Sequence, residues 1–128
     1  MNRPAVYDTR FFTQLYRSKN EEMCKKIINE RARKEKYVST IALHELYKTS
    51  LATEGREIAK VKLAYVKQEF KIVPVDEEIA QVSAEFRQKY DLSMGDSMIA
   101  ATAFVLNAIC ISDDAHFKLI KEIKTTWL

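Results

Sequence analysis

Short apolar runs alternate along this chain with longer stretches of helical period. Ala5-Val6-Tyr7, between Pro4 and Asp8, reads as a buried strand. Phe11, Phe12, Leu15 and Tyr16 then recur at helical spacing and predict a helix over 9–17. Asn20 is a candidate N-cap for a second helix, carried by Met23, Ile27 and Ile28 to about Lys36. Tyr37-Val38-Ser39 is a second strand. Ile41, Leu43, Leu46, Tyr47 and Leu51 predict a helix from Thr40 to about Ala52. Gly55 marks a break, and helix resumes from Arg56 to Phe70. Lys71 to Val75 is a third strand, and its Pro74 argues for a strand end or a sheet edge. Asp76 can cap a helix running to Tyr90, with Glu77 and Glu78 favourable to its dipole.

The segment from Met94 to Asn107 is apolar nearly all round, and such a helix is buried. Ile109 to Ser112 is a fourth strand, Ala115 to Ile123 a short helix, and Thr125 to Leu128 a short fifth strand. Strands alternating with helices predict an α/β fold, with a parallel sheet of four or five strands between helices on both faces. Only two glycines and two prolines occur, so the loops are short.

The chain of 128 residues suits one domain spanning 1–128. Hydrophobic residues make up 47% and charged residues 30%, the balance of a water-soluble core and surface. No apolar run reaches the roughly 18 residues of a membrane span, and Met1-Asn2-Arg3-Pro4 has no signal-peptide core. A cytoplasmic protein without a membrane partner is expected. The two cysteines, Cys24 and Cys110, have no metal-ligand spacing and read as free thiols, Cys110 in the core. With two histidines, a zinc site is not expected. The net charge of +3 hides a basic N-terminal third that includes Arg17, Lys19, Lys25 and Lys26. Such a segment suits a polyanion or is simply a solvated helix face.

The candidate chemistry is acidic. Asp8 follows the first strand, Glu45 lies in the helix after the second, Asp96 opens the apolar helix, and Asp114 follows the fourth strand. In an open α/β sheet ligands bind beyond the carboxyl ends of the strands, which is where all four fall. Crowded carboxylates repel one another, and hard divalent cations relieve that. Singly, Asp8 and Asp114 read as helix caps, Glu45 as an exposed helix residue, and Asp96 as the acid of a capping box with Ser93. Jointly, one site accounts for them. Asp76 stays outside the set because Glu77 and Glu78 mark it as dipole dressing. Asp113 should point away from Asp114 if the strand runs through Ser112. His44 and His116 are conceivable general bases, but rim or structural roles are expected of both.

Four segments carry a resemblance: Val6-Tyr7-Asp8-Thr9; Leu43-His44-Glu45-Leu46; Ser93-Met94-Gly95-Asp96 continuing through Ile99-Ala100-Ala101-Thr102-Ala103; and Ile111-Ser112-Asp113-Asp114-Ala115-His116-Phe117. Together they resemble the PIN-domain ribonucleases, most of all the VapC-type toxins, over nearly the whole chain. The resemblance implies a three-layer α/β/α PIN-like fold and metal-dependent cleavage of single-stranded RNA. In it Asp8, Glu45, Asp96 and Asp114 are the acidic quartet, and Ser112 supplies a supporting hydroxyl. Asp8, Asp96 and Asp114 would hold Mg2+ or Mn2+. The expected partners are an RNA substrate, a cognate antitoxin and a second copy of the chain. Apolar residues such as Phe11, Phe12, Tyr16, Tyr47 and Tyr65 divide between core and dimer surface.

Arg10 departs from the family, which commonly has Asn or Ser after Asp-Thr. Arg10 either binds RNA phosphate, with Arg17 and Lys19, or pairs with an acid of the site. Two other functions stay open. One is a stand-alone RNA-processing nuclease, and the other a catalytically silent RNA- or protein-binding module on the same fold. A phospho-accepting receiver domain fits poorly, because Asp8 has no acidic neighbour and Glu45 would have no role.

Overall fold

The computed structural model describes residues 3–17 and 20–128, with Tyr16 and Arg17 described by backbone alone. The strands are β1 (Ala5–Tyr7), β2 (Lys36–Ser39), β3 (Lys71–Val73), β4 (Ile109–Ile111) and β5 (Thr125–Thr126). The helices are α1 (Thr9–Arg17), α2 (Glu21–Arg31), α3 (Thr40–Glu54), α4 (Arg56–Glu69), α5 (Glu77–Lys89), α6 (Met94–Val105) and α7 (Ala115–Lys118). All strand pairs are parallel, in the order β3-β2-β1-β4-β5. This is the expected α/β architecture, around a five-stranded parallel sheet.

Three consecutive residues of β1, and all of β4, are buried. Successive strand residues point to opposite faces, so both faces of the sheet centre are covered. β3 is an edge strand and Pro74 follows it directly, where its missing N–H takes nothing from the ladder. The order places β1 between the first half of the chain (β2, β3) and the second (β4, β5). The β1–β4 junction is therefore the topological switch point, and its carboxyl edge is the ligand edge.

Caps behave as the side chains dictate. Asn20, Ser39, Asp76, Ser93 and Asp114 each accept a backbone N–H of the helix they open. Gly55 joins α3 to α4 at φ 87° and ψ 169°, a conformation that side chains with a Cβ resist. Inside α6, Ala100, Ala101 and Ala103 are fully buried, so this helix packs close against β1. Met94 and Phe104 are the exceptions to its burial and lie exposed.

Two helices stop short of the ends that the sequence predicts. The second was expected to reach about Lys36 and ends at Arg31. Arg33 turns back to pair with buried Glu30 and donates to the Arg3 carbonyl at 2.7 Å. Glu30 also accepts from the Tyr7 hydroxyl at 2.6 Å. Lys36 is already in β2, in register with Ala5. The last helix was expected to reach Ile123 and ends at Lys118. Beyond it the Lys121 N–H goes to the Tyr90 hydroxyl, and Glu122 accepts from Tyr90 and Lys89. In both segments short i→i−3 backbone bonds remain beside these tertiary partners.

Phe11 and Phe12 are fully buried and pack on Tyr7 and Phe70, which removes them from any subunit surface. Tyr47 and Tyr65 are half-buried, and the Tyr16 side chain lies outside the described residues. Cys110 is a buried free thiol.

Candidate metal centre at the carboxyl edge of the sheet

Strand register builds the first half of the site. Tyr7 pairs with Ile111, so the next residues, Asp8 and Ser112, leave β1 and β4 side by side. The Ser112 hydroxyl donates to Asp8 Oδ2 at 2.7 Å and its oxygen accepts the Asp114 N–H at 3.0 Å. The other Asp8 oxygen accepts the Thr9 N–H at 2.7 Å. One buried hydroxyl thus fixes both the Asp8 carboxylate and the backbone that carries Asp114.

Helices supply the rest. Thr9 opens α1 and its hydroxyl donates to Glu45 Oε1 at 2.9 Å, which ties the second turn of α3 to the end of β1. Gly95, in the first turn of α6, lies against the same carboxylate. A Cβ on Gly95 would stand 3.4 Å from Glu45 Oε2, an ordinary van der Waals contact, so the first turn of α6 abuts the Glu45 carboxylate. Asp96 follows directly. Ser93 takes the Asp96 N–H at 3.1 Å and so provides the cap, which frees the Asp96 carboxylate from that task. Hydrogen bonds therefore join Asp8, Ser112 and Asp114 on one side and Thr9 and Glu45 on the other, with Asp96 next in the chain to Gly95 and its carboxylate near Asp114.

The electrostatics show like charges held together. Burial pushes the Asp8 carboxyl up to about 6, against the pull of its bonds from Ser112 and Thr9, with the Asp96 and Glu45 charges adding to the rise. Burial also raises Asp96, reinforced by Asp114 and Glu45. Burial acts upward on Asp114 too, but the backbone and ring of His116, with Arg10 farther off, outweigh it and hold Asp114 below the usual range. His116 is raised by its bond to Asp114 and by that charge, with Asp96 and Asp91 contributing.

Asp96, Asp114 and His116 each offer a ligand atom, and these atoms lie within 4.8 Å of one another. Two carboxylate oxygens and an imidazole nitrogen at this spacing, beside a third acid whose ionisation is suppressed, fit a divalent cation. A rim or structural role was expected of His116; its exposed ring stands beside the acids, with Nδ1 2.7 Å from Asp114 Oδ1. Its position two residues after Asp114, at the start of a helix too short to show periodicity, was the available signal. His44 is exposed on α3.

Arg10 does not pair with any of the four acids. Its guanidinium forks onto Asp113, through Nε and through an Nη2 contact of 3.3 Å. The Arg17 side chain and Lys19 lie outside the described residues.

The PIN domain family model matches residues 5–123, and the chain belongs to this family of nucleases. Solved structures of the same fold include VapBC2 from Rickettsia felis bound to a promoter DNA fragment. It is 16% identical with a TM-score of 0.82, over 97% of this chain and 98% of that one. A toxin–antitoxin complex from Klebsiella pneumoniae is 23% identical with a TM-score of 0.73, over 93% and 94%. VapC20 of Mycobacterium tuberculosis, described as a Sarcin-Ricin loop cleaving toxin, is 16% identical with a TM-score of 0.72, over 94% and 98%. No curated protein sequence matches the chain. No helix among the described residues is long and apolar enough to cross a membrane.

Proposed function

We propose that this chain is a metal-dependent endoribonuclease that cleaves single-stranded RNA, and that it is the toxin of a toxin–antitoxin pair. The observation that carries the nuclease reading is the contact-linked cluster of Asp8, Glu45, Asp96 and Asp114 at the switch point of a PIN fold. The toxin reading is supported by the fold's likeness to chains solved as toxin–antitoxin complexes.

In this reading Asp96 and Asp114 hold Mg2+ or Mn2+ most directly. Asp8 joins through the lone pairs that Ser112 and Thr9 leave free. The bound ion supplies charge relief on the scissile phosphate and a water of lowered pKa. Glu45, steadied by Thr9 through one oxygen, orients the attacking water with the other. Ser112 keeps Asp8 and the Asp114 backbone in fixed relation, so that the acids do not drift apart when the substrate's own negative charge arrives.

The deciding experiment is cleavage of an end-labelled single-stranded RNA by the purified chain with Mn2+ or Mg2+, and with EDTA. Cleavage only with metal is expected; RNA bound but left intact under every metal condition would favour a binding module. A small DNA-binding antitoxin encoded immediately upstream is expected, and its absence would favour a stand-alone processing nuclease. A homodimer is also proposed, and a monomer by light scattering would remove the dimer without touching the nuclease.

RNA approaching four acids needs cations on the rim. Arg10 is exposed, and exposed ion pairs contribute about 0–1 kcal/mol, so a phosphate can draw Arg10 from Asp113. Arg10→Ala is expected to weaken RNA binding and to flatten its salt dependence by about one phosphate contact. An unchanged salt slope with a lower melting temperature would mean that Arg10 serves only to brace the loop through Asp113.

A further inference from the structure

We propose that His116 is a direct nitrogen ligand of the cation held by Asp96 and Asp114, and that it biases the site toward Mn2+ over Mg2+. The inference rests on the metal-centre reading above and adds a ligand and a metal preference to it.

Geometry carries it. His116 Nδ1 is 2.7 Å from Asp114 Oδ1, and Asp96, Asp114 and His116 each offer a ligand atom in a set that lies within 4.8 Å. In an octahedral site with bonds of about 2.1 Å, adjacent ligands stand about 3 Å apart and opposite ones about 4.2 Å. A set spread over no more than 4.8 Å therefore closes around one ion with side-chain shifts of about an ångström. The position of the ring is set locally. Asp114 Oδ1 accepts the His116 N–H at 2.9 Å, and the neighbouring Phe117 is fully buried, which pins the short turn on both sides. Facing the Asp114 carboxylate, Nδ1 donates its N–H; as a ligand it must instead offer a lone pair, so Nδ1 can hydrogen-bond to Asp114 or ligate, but not both.

Ligand chemistry decides which ion draws it away. Mg2+ binds through one or two carboxylates, keeps its other positions for water, and has little use for nitrogen. Transition metals accept imidazole readily. With Mg2+ the ring stays on Asp114 as a brace. With Mn2+ it moves onto the metal.

The test uses the full chain with one equivalent of Mn2+ and pulsed electron paramagnetic resonance, which detects the coupling of a coordinated imidazole nitrogen. The coupling is expected in the wild-type chain and absent from His116→Gln. The variant is expected to bind Mn2+ about tenfold more weakly and Mg2+ within about twofold of wild type, on the scale that histidine ligation supplies. Because His116 is exposed, the variant should fold, and an unchanged melting temperature checks this. Bound Mn2+ without nitrogen coupling in the wild type overturns the inference and leaves the metal centre standing. So does a coupling that persists in His116→Gln. A chain that takes up no Mn2+ overturns the metal-centre reading and this inference with it.

Discussion

Asp96→Asn is expected to abolish metal-dependent RNA cleavage, by roughly 100-fold or more, the scale on which loss of one charge-stabilising or metal-holding group acts. The same substitution should leave the metal-free protein as stable as wild type or more so. Burial and the charges of Asp114 and Glu45 already disfavour an ionised Asp96, and the neutral amide removes that conflict. The start of α6 survives as well, because the capping bond runs from the Asp96 backbone N–H to the Ser93 hydroxyl and does not use the carboxylate. Activity and stability should therefore separate: cleavage assays fall while the melting temperature in EDTA holds or rises. Cleavage equal to wild type would remove Asp96 from the proposed site. A marked loss of stability with the metal absent would show that the carboxylate holds up α6.

The substitution also separates two readings that the sequence could not. Asp96 stands three residues after Ser93, and a capping box and a metal ligand use that spacing alike. What decides between them is the position of Gly95 against Glu45, and of Asp114 across the sheet edge. Those are tertiary facts. The strands and most helix starts were legible because each depends on local chemistry: apolar runs bounded by Pro4 or Pro74, and capping side chains at Asn20, Asp76 and Ser93. Helix ends were less legible where no glycine or proline stops the pattern. Residues 32–36 read as a continuing charged helix until Arg33 is seen to turn back onto Glu30 and to the Arg3 carbonyl. Residues 119–123 read as helix until Tyr90 takes the Lys121 N–H.

The acids were legible for a topological reason. A parallel sheet brings residues that follow different strands to one edge, so an acid after β1 and an acid after β4 are neighbours wherever those strands pair. The pairing of Tyr7 with Ile111 also fixes Ser112 beside Asp8, which the resemblance alone had implied. His116 was not legible. Its side-chain direction depends on the turn that Asp114 caps and on the burial of Phe117, and neither leaves a periodic trace in four residues of helix. Arg10 was divided between phosphate and a site carboxylate, and the acid it meets is Asp113, outside the quartet.

Asp8→Asn should raise the stability of the metal-free protein near neutral pH, and the gain should vanish in acid. The Asp8 carboxyl is lifted from its ordinary 3.8 to about 6, first by burial and then by the charges of Asp96 and Glu45. The folded chain therefore holds this proton more tightly than the unfolded chain does. Between about pH 4 and pH 6 folding takes up a proton, so stability falls as pH rises through that window. Below it Asp8 is neutral in both states and costs nothing. Above it the ionised, buried carboxylate costs about 3 kcal/mol, the linkage equivalent of that displacement. An asparagine carries no such charge. Its oxygen can accept the Thr9 N–H and its amide can donate to the Ser112 oxygen, so both anchors survive. Denaturant melts in EDTA should show the variant ahead of wild type at pH 7.5, by a margin of this order, with the two converging near pH 4. Saturating Mn2+ should reverse the order, because the ion stabilises only the chain that binds it, and the variant has lost an acid of the site. If wild type and variant unfold with the same pH dependence in EDTA, Asp8 is not a strained carboxylate. The repulsion that makes this cluster fit a cation must then lie with Asp96, Asp114 and Glu45 alone.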